Sequence, residues 1–121
     1  MKRKPLKFKE IESILSRKIQ NIYQAELEKE PENITYKLFN RTLIVTMEGI
    51  VTSSERLLRN NNRLELAEQV RQAVDSVIHP QIQDTIEEVL NVKIVDFLSD
   101  TTIKSDLTGA IAIFEAKLEE G

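Results

Sequence analysis

Residues 34–47 read ITYKLFNRTLIVTM, and the fold turns on their period. Ile34, Tyr36 and Leu38 alternate with Thr35 and Lys37; Leu43, Val45 and Met47 alternate with Ile44, Thr46 and Glu48. A period of two is that of a β-strand with one buried face. With Asn40-Arg41 as a two-residue hairpin loop, position 38 lies opposite 43, 36 opposite 45 and 34 opposite 47. All six apolar side chains then share one face, which fixes the register. Arginine is less favourable than glycine at the second turn position, so a longer loop is the alternative.

On the N-terminal side the period changes. Ile11, Ile14, Leu15, Ile19, Ile22, Tyr23 and Leu27 fall at the three- and four-residue steps of an amphipathic helix over 8–27, and Pro31 in EKEPEN prevents it from continuing. On the C-terminal side, Thr52 and Glu55 are spaced as a capping box, predicting a short helical turn with Leu57 and Leu58 that ends at Asn60–Asn62. A longer helix starts at about 63 with Leu66, Ala67, Val70, Val74, Val77 and Ile78 on one stripe. It resumes after His79-Pro80 through Ile82, Ile86, Val89 and Leu90. Pro80 removes a backbone donor and is expected to kink this helix or to end it.

Two β-branched runs follow, VKIVDFL at 92–98 and TGAIAIFEA at 108–116. Strict alternation sets Val95 and Phe97 against Ile94 and Leu98, and Ile111 and Ile113 against Ala110, Ala112 and Phe114. Strands apolar on both faces need cover on both sides. The order α-β-β-α-β-β predicts an α+β fold: a four-stranded, mainly antiparallel sheet with the helices packed on one face. The other face is left for the short helical turn or for a second subunit. Val95, Phe97, Ile111 and Ile113, with Asp96 among them, are therefore the candidate interaction residues.

Composition narrows the chemistry. The 121 residues include no cysteine and one histidine, which excludes thiolate catalysis, disulfides, Cys-ligated metals and His-paired metal sites. Residues 1–7 form a basic N-terminal tip, 8–118 a single domain and 119–121 an acidic end. Residues 1–41 carry ten Lys/Arg against six Asp/Glu, the remainder seven against fourteen. The tip is either a solvated terminus or a contact for anionic lipid or nucleic acid. It lacks the apolar run of a signal peptide, and no stretch is long enough to span a membrane. The expected location is the cytoplasm, with a peripheral membrane association as the alternative.

Several clusters invite a functional reading. His79 is a candidate lone base or a solvated residue beside the proline. Asp84, Glu87 and Glu88 form a carboxylate cluster or a hydrated helix face. Asp96, Asp100 and Asp106 match no calcium-loop spacing, and Gly49, Gly109 and Gly121 stand too far apart to cradle phosphate. Within VDFLSDTT (95–102), Ser99, Asp100 and Thr101 are expected to form a turn where the strand ends.

VTSSERLL, LAEQVRQAV and IEEVLNVKIVDFLSD together resemble the MpsC-like family of small bacterial proteins, over roughly residues 10–116. The chain departs from it in LEKEP, where members often carry Gly-x-Gly-Pro, and in VTSS, where they often carry Leu-Thr-Pro. The resemblance implies a soluble accessory protein associated with a sodium-translocating, membrane-potential-generating system, and with inorganic-carbon supply. It implies no catalytic residue. The expectation is a non-enzymatic interaction or adaptor protein without a cofactor, homodimeric or bound to a transport complex or its regulator. Nucleic-acid binding is the alternative, disfavoured by acidity and by the lack of a Gly-aromatic motif.

Overall fold

The computed structural model describes residues 7–117; the basic tip, apart from Lys7, and the acidic end lie outside the described residues. The elements are α1 (Phe8–Leu27), β1 (Asn33–Phe39), β2 (Thr42–Glu48), α2 (Ser53–Asn60), α3 (Leu64–Leu90), β3 (Ile94–Thr102) and β4 (Leu107–Phe114). The strands form one sheet in the order β1-β2-β4-β3, with every pair antiparallel. The helices pack against one face, as the α+β reading expects. The hairpin register is the predicted one, with Ile34 opposite Met47, Tyr36 opposite Val45 and Leu38 opposite Leu43. Its turn works without glycine because Asn40 takes the left-handed conformation at φ 59°, which asparagine tolerates better than most residues.

The core lies between sheet and helices. Leu15, Ile19 and Tyr23 from α1 and Ile78, Ile82, Ile86 and Leu90 from α3 meet Leu43, Val45, Met47, Ala110, Ala112 and Phe114 from the two central strands. Helix α3 runs unbroken through Pro80. The missing donor costs a local bond, whereas Ile78, Ile82 and Ile86 on the buried stripe hold both halves to the same sheet. At its C-terminus Asn91 adopts the left-handed cap, donating to the Glu87 carbonyl. The Glu87 carboxylate accepts from Ile94 N–H at 2.8 Å, which fixes the entry to β3. The capping box at Thr52 and Glu55 is present.

The structure departs from strict alternation in β3. The register shifts between Ile94 and Asp96, so Val95 is an extra residue in a bulge. Ile94 and Phe97 consequently both face the helices, Phe97 opposite Ala112, while Val95, Asp96 and Leu98 face outward. With the pairing of Asp96–Thr102 kept, strict alternation would turn Ile94 outward; the extra residue lets Ile94 and Phe97 both join the apolar layer while Asp96 stays outside it. The expected turn at Ser99, Asp100 and Thr101 is corrected too. Strand pairing continues through Thr102, with Ser99 opposite Ala110 and Thr101 opposite Thr108, and the turn falls at 103–106. Asp106 sits there at φ 55°, its backbone N–H donating to Thr102 O.

Candidate functional site

Period-two alternation on four strands in register produces ordered rows on the outer face. One row runs Phe39, Thr42, Ile113, Asp96; the next Lys37, Ile44, Ile111, Leu98; the third Thr35, Thr46, Gly109, Asp100; the last Asn33, Glu48, Leu107, Thr102. No helix covers them. Phe39 is 66% exposed, Leu98 57%, Val95 53%, Leu107 49% and Ile111 37%. A shallow notch of about 390 Å³ opens where Gly109 has no side chain, lined by Ile44, Leu98, Asp100 and Ile111 among others. A Cβ at Gly109 would touch nothing within 4 Å. The face is charged at its flanks: Lys37 stands on one edge strand, Asp96 and Asp100 on the other.

Of the predicted interaction residues, Val95, Asp96, Ile111 and Ile113 come together on this face. Phe97 does not. It packs against the core, where its ring meets the His79 ring edge-on with centroids 5.4 Å apart. Phe39, Ile44, Leu98 and Gly109 belong to the outer face and were missed, although extending the hairpin register to its outward positions and counting the bulge would have found them.

A second polar arrangement lies behind the helices. Glu55 is fully buried and Arg71 is 4% exposed. Arg71 Nε and Nη2 donate to the two Glu55 carboxylate oxygens at 2.8 and 2.6 Å, Nη2 also to Ile50 O at 3.0 Å, and Nη1 to Asp75 Oδ1 at 3.3 Å. The same Glu55 carboxylate accepts from the Thr52 N–H and hydroxyl. Burial alone would lower the Arg71 pKa, but the hydrogen bonds and charge of Glu55, with Asp75 behind, outweigh it and hold the guanidinium above its usual value. Asp75 continues the chain to His79, 3.6 Å from its Nε2. Burial lowers the His79 pKa more than Asp75 raises it, so the ring stays neutral at neutral pH. His79 is thus partly enclosed between Asp75 and Phe97, and not the solvated residue beside the proline. Burial also pushes the Tyr23 hydroxyl upward, and the nearby Asp75 adds to this.

Among the described residues no buried side-chain donor or acceptor is left without a partner, and the Glu55–Arg71 pair ties α2 to α3. The sequence signal for it was Arg71 itself, which interrupts the apolar stripe between Ala67 and Val74.

The carboxylate clusters do not assemble. Asp106 accepts from Val51 N–H at 2.9 Å and pairs with Arg56, pinning the β3–β4 turn to the start of α2. Glu87 is engaged with the backbone of β3. Among the described residues no group of three or more His, Cys, Asp or Glu side chains is placed to hold a metal ion, and no helix is long and apolar enough to cross a membrane.

The Glu55–Arg71 network is therefore internal, and the outer sheet face is an apolar surface that no helix covers. Neither a curated protein nor a solved structure matches the chain. A family model described as the Na+-translocating membrane potential-generating system (MpsC) matches residues 7–116, nearly the whole chain, in agreement with the resemblance carried by the helix-to-strand passage. The chain belongs to the MpsC family.

Proposed function

We propose that this protein is a non-enzymatic assembly component of a cation-transport system, acting through protein surfaces from the cytoplasmic side of the membrane. The observation that carries this reading is the uncovered apolar centre of the outer sheet face. Helices α1 and α3 pack behind the sheet and α2 packs on α3, while Ile111 and Leu98, beside Ile44, lie open at the centre of the front face and Phe39, Val95 and Leu107 lie open towards its margins. A contiguous apolar area bordered by charge is the usual mark of a protein contact. The internal polar groups support the same reading, because the buried Glu55–Arg71 pair joins α2 to α3 and the Asp75 contacts with Arg71 and His79 lie along α3. Family membership supplies the setting, since the family is described as a sodium-translocating, membrane-potential-generating system. A supply of inorganic carbon coupled to that transport is the further setting the family resemblance suggests.

The test is co-sedimentation of the purified chain with membrane vesicles from cells that contain the sodium-translocating system and from otherwise identical cells that lack it. Retention by the first and not by the second is expected. Equal retention by both, or by neither, contradicts the proposal.

A further inference from the structure

We infer that the outer sheet face pairs with a second copy of itself, about a two-fold axis that lies between the sheets, parallel to the strands and midway between β2 and β4. This rests on the reading of that face as a protein contact and names its occupant.

Two sheets packed face to face lie about 10 Å apart with their strands within roughly 30° of each other. A two-fold dimer of this kind has one of two axes in the plane between the sheets, along the strands or across them. An axis across the strands lays β3 on β3, so that the edge strand carrying Asp96 and Asp100 faces the same acidic strand, and lays β1 on β1, so that the edge strand carrying Lys37 faces its own copy. An axis along the strands lays β1 of one copy over β3 of the other. Rotation about that axis preserves height along the strands, so Lys37 projects towards the row of Leu98, flanked by Asp96 and Asp100. The interaction occurs twice, once on each flank.

The same rotation places Ile44 over Ile111 of the other copy on either side of the axis, closing the apolar row at its centre. Thr46 then lies over Gly109, whose open notch accommodates the approaching strand. Glu48 stays at the last row, where it accepts from Asn33 in its own chain at 3.0 Å. Four strands about 4.8 Å apart and about seven residues long give a footprint of roughly 20 by 24 Å. That is roughly 480 Å² in projection, near the roughly 500 Å² per partner at which specific interfaces begin.

The experiment is light-scattering mass across a dilution series for the intact chain and three outward-facing variants, with circular dichroism to confirm that each is folded. The unmodified chain is expected to be a dimer at high micromolar concentration. Lys37→Asp weakens association by about tenfold or more. The triple exchange Lys37→Asp, Asp96→Lys, Asp100→Lys restores it, because each flank again joins opposite charges. Gly109→Arg fills the notch and leaves a folded monomer. A monomeric unmodified chain overturns the inference, while vesicle binding of that monomer would leave the broader proposal standing. A dimer indifferent to Lys37→Asp and Gly109→Arg overturns it as well, and would indicate pairing through the open edges of β1 or β3. Restoration that fails in the triple exchange overturns the axis.

Discussion

Replacing Arg71 by methionine is expected to destabilise the protein by about 3–5 kcal/mol, because it leaves the fully enclosed Glu55 carboxyl group without its counter-ion and hydrogen-bond donors. The side chain lost is also the donor to Ile50 O and to Asp75, so three acceptors lose a partner in one change. The effect should appear as a lower urea midpoint with little change in slope, and as a fall of more than about 10 °C in melting temperature. Glu55→Gln combined with Arg71→Met should recover part of the loss. The amide can still accept from Thr52 at the start of α2, as glutamine does in a capping box, and it carries no charge to strand. A double variant less stable than Arg71→Met alone would show that the pair does more than satisfy itself.

The second large effect is expected at Phe114. It is fully buried at the end of β4, against both long helices and opposite Ile94. Phe114→Ala removes a ring from a close-packed layer in which the next same-face residue on β4 is Ala112, too small to fill the space. We expect a cost of about 3–5 kcal/mol by denaturant titration. Val95→Ala, on the outward bulge of the same sheet, should change stability by no more than about 0.5 kcal/mol when measured at dilutions where copies separate. The contrast between the two positions tests which face of the sheet is the inside.

What was legible in the sequence was what local periodicity carries. The hairpin register from Ile34 to Met47 followed from six apolar residues that had to share a face, and the Thr52 cap followed from two side chains three positions apart. What was not legible depended on partners distant in the chain. The bulge at Val95 cannot be read from β3 alone, since only the pairing with β4 decides whether Asp96 or Phe97 faces the helices. Ser99, Asp100 and Thr101 have the composition of a turn, yet their neighbours on β4 supply a strand for them to pair with, and pairing overrides composition. Pro80 reads as a break, but burial of Ile78 and Ile82 on either side offsets the lost bond. Arg71 and Glu55 were separately visible as a charge on an apolar stripe and a capping residue; only the packing of α2 on α3 joins them. The outer face followed the same rule: Ile111 and Ile113 stood out by their runs, while Lys37, Ile44 and Gly109 acquire meaning from the rows that four strands build together.

On this reading the outer sheet face is a contact surface and the other exposed apolar side chains are not. Leu57, Leu64, Leu66 and Val77, on the helices, are also open to solvent and serve as internal controls. The direct measurement is the relaxation caused by a soluble paramagnetic agent on methyl groups, recorded at high and at low protein concentration. Ile44, Ile111, Ile113 and Leu98 should be shielded in the concentrated sample and reached by the agent on dilution, with the helix methyls accessible in both. Shielding that instead appears on Leu57, Leu64, Leu66 and Val77, with the sheet methyls accessible at every concentration, would contradict the central claim.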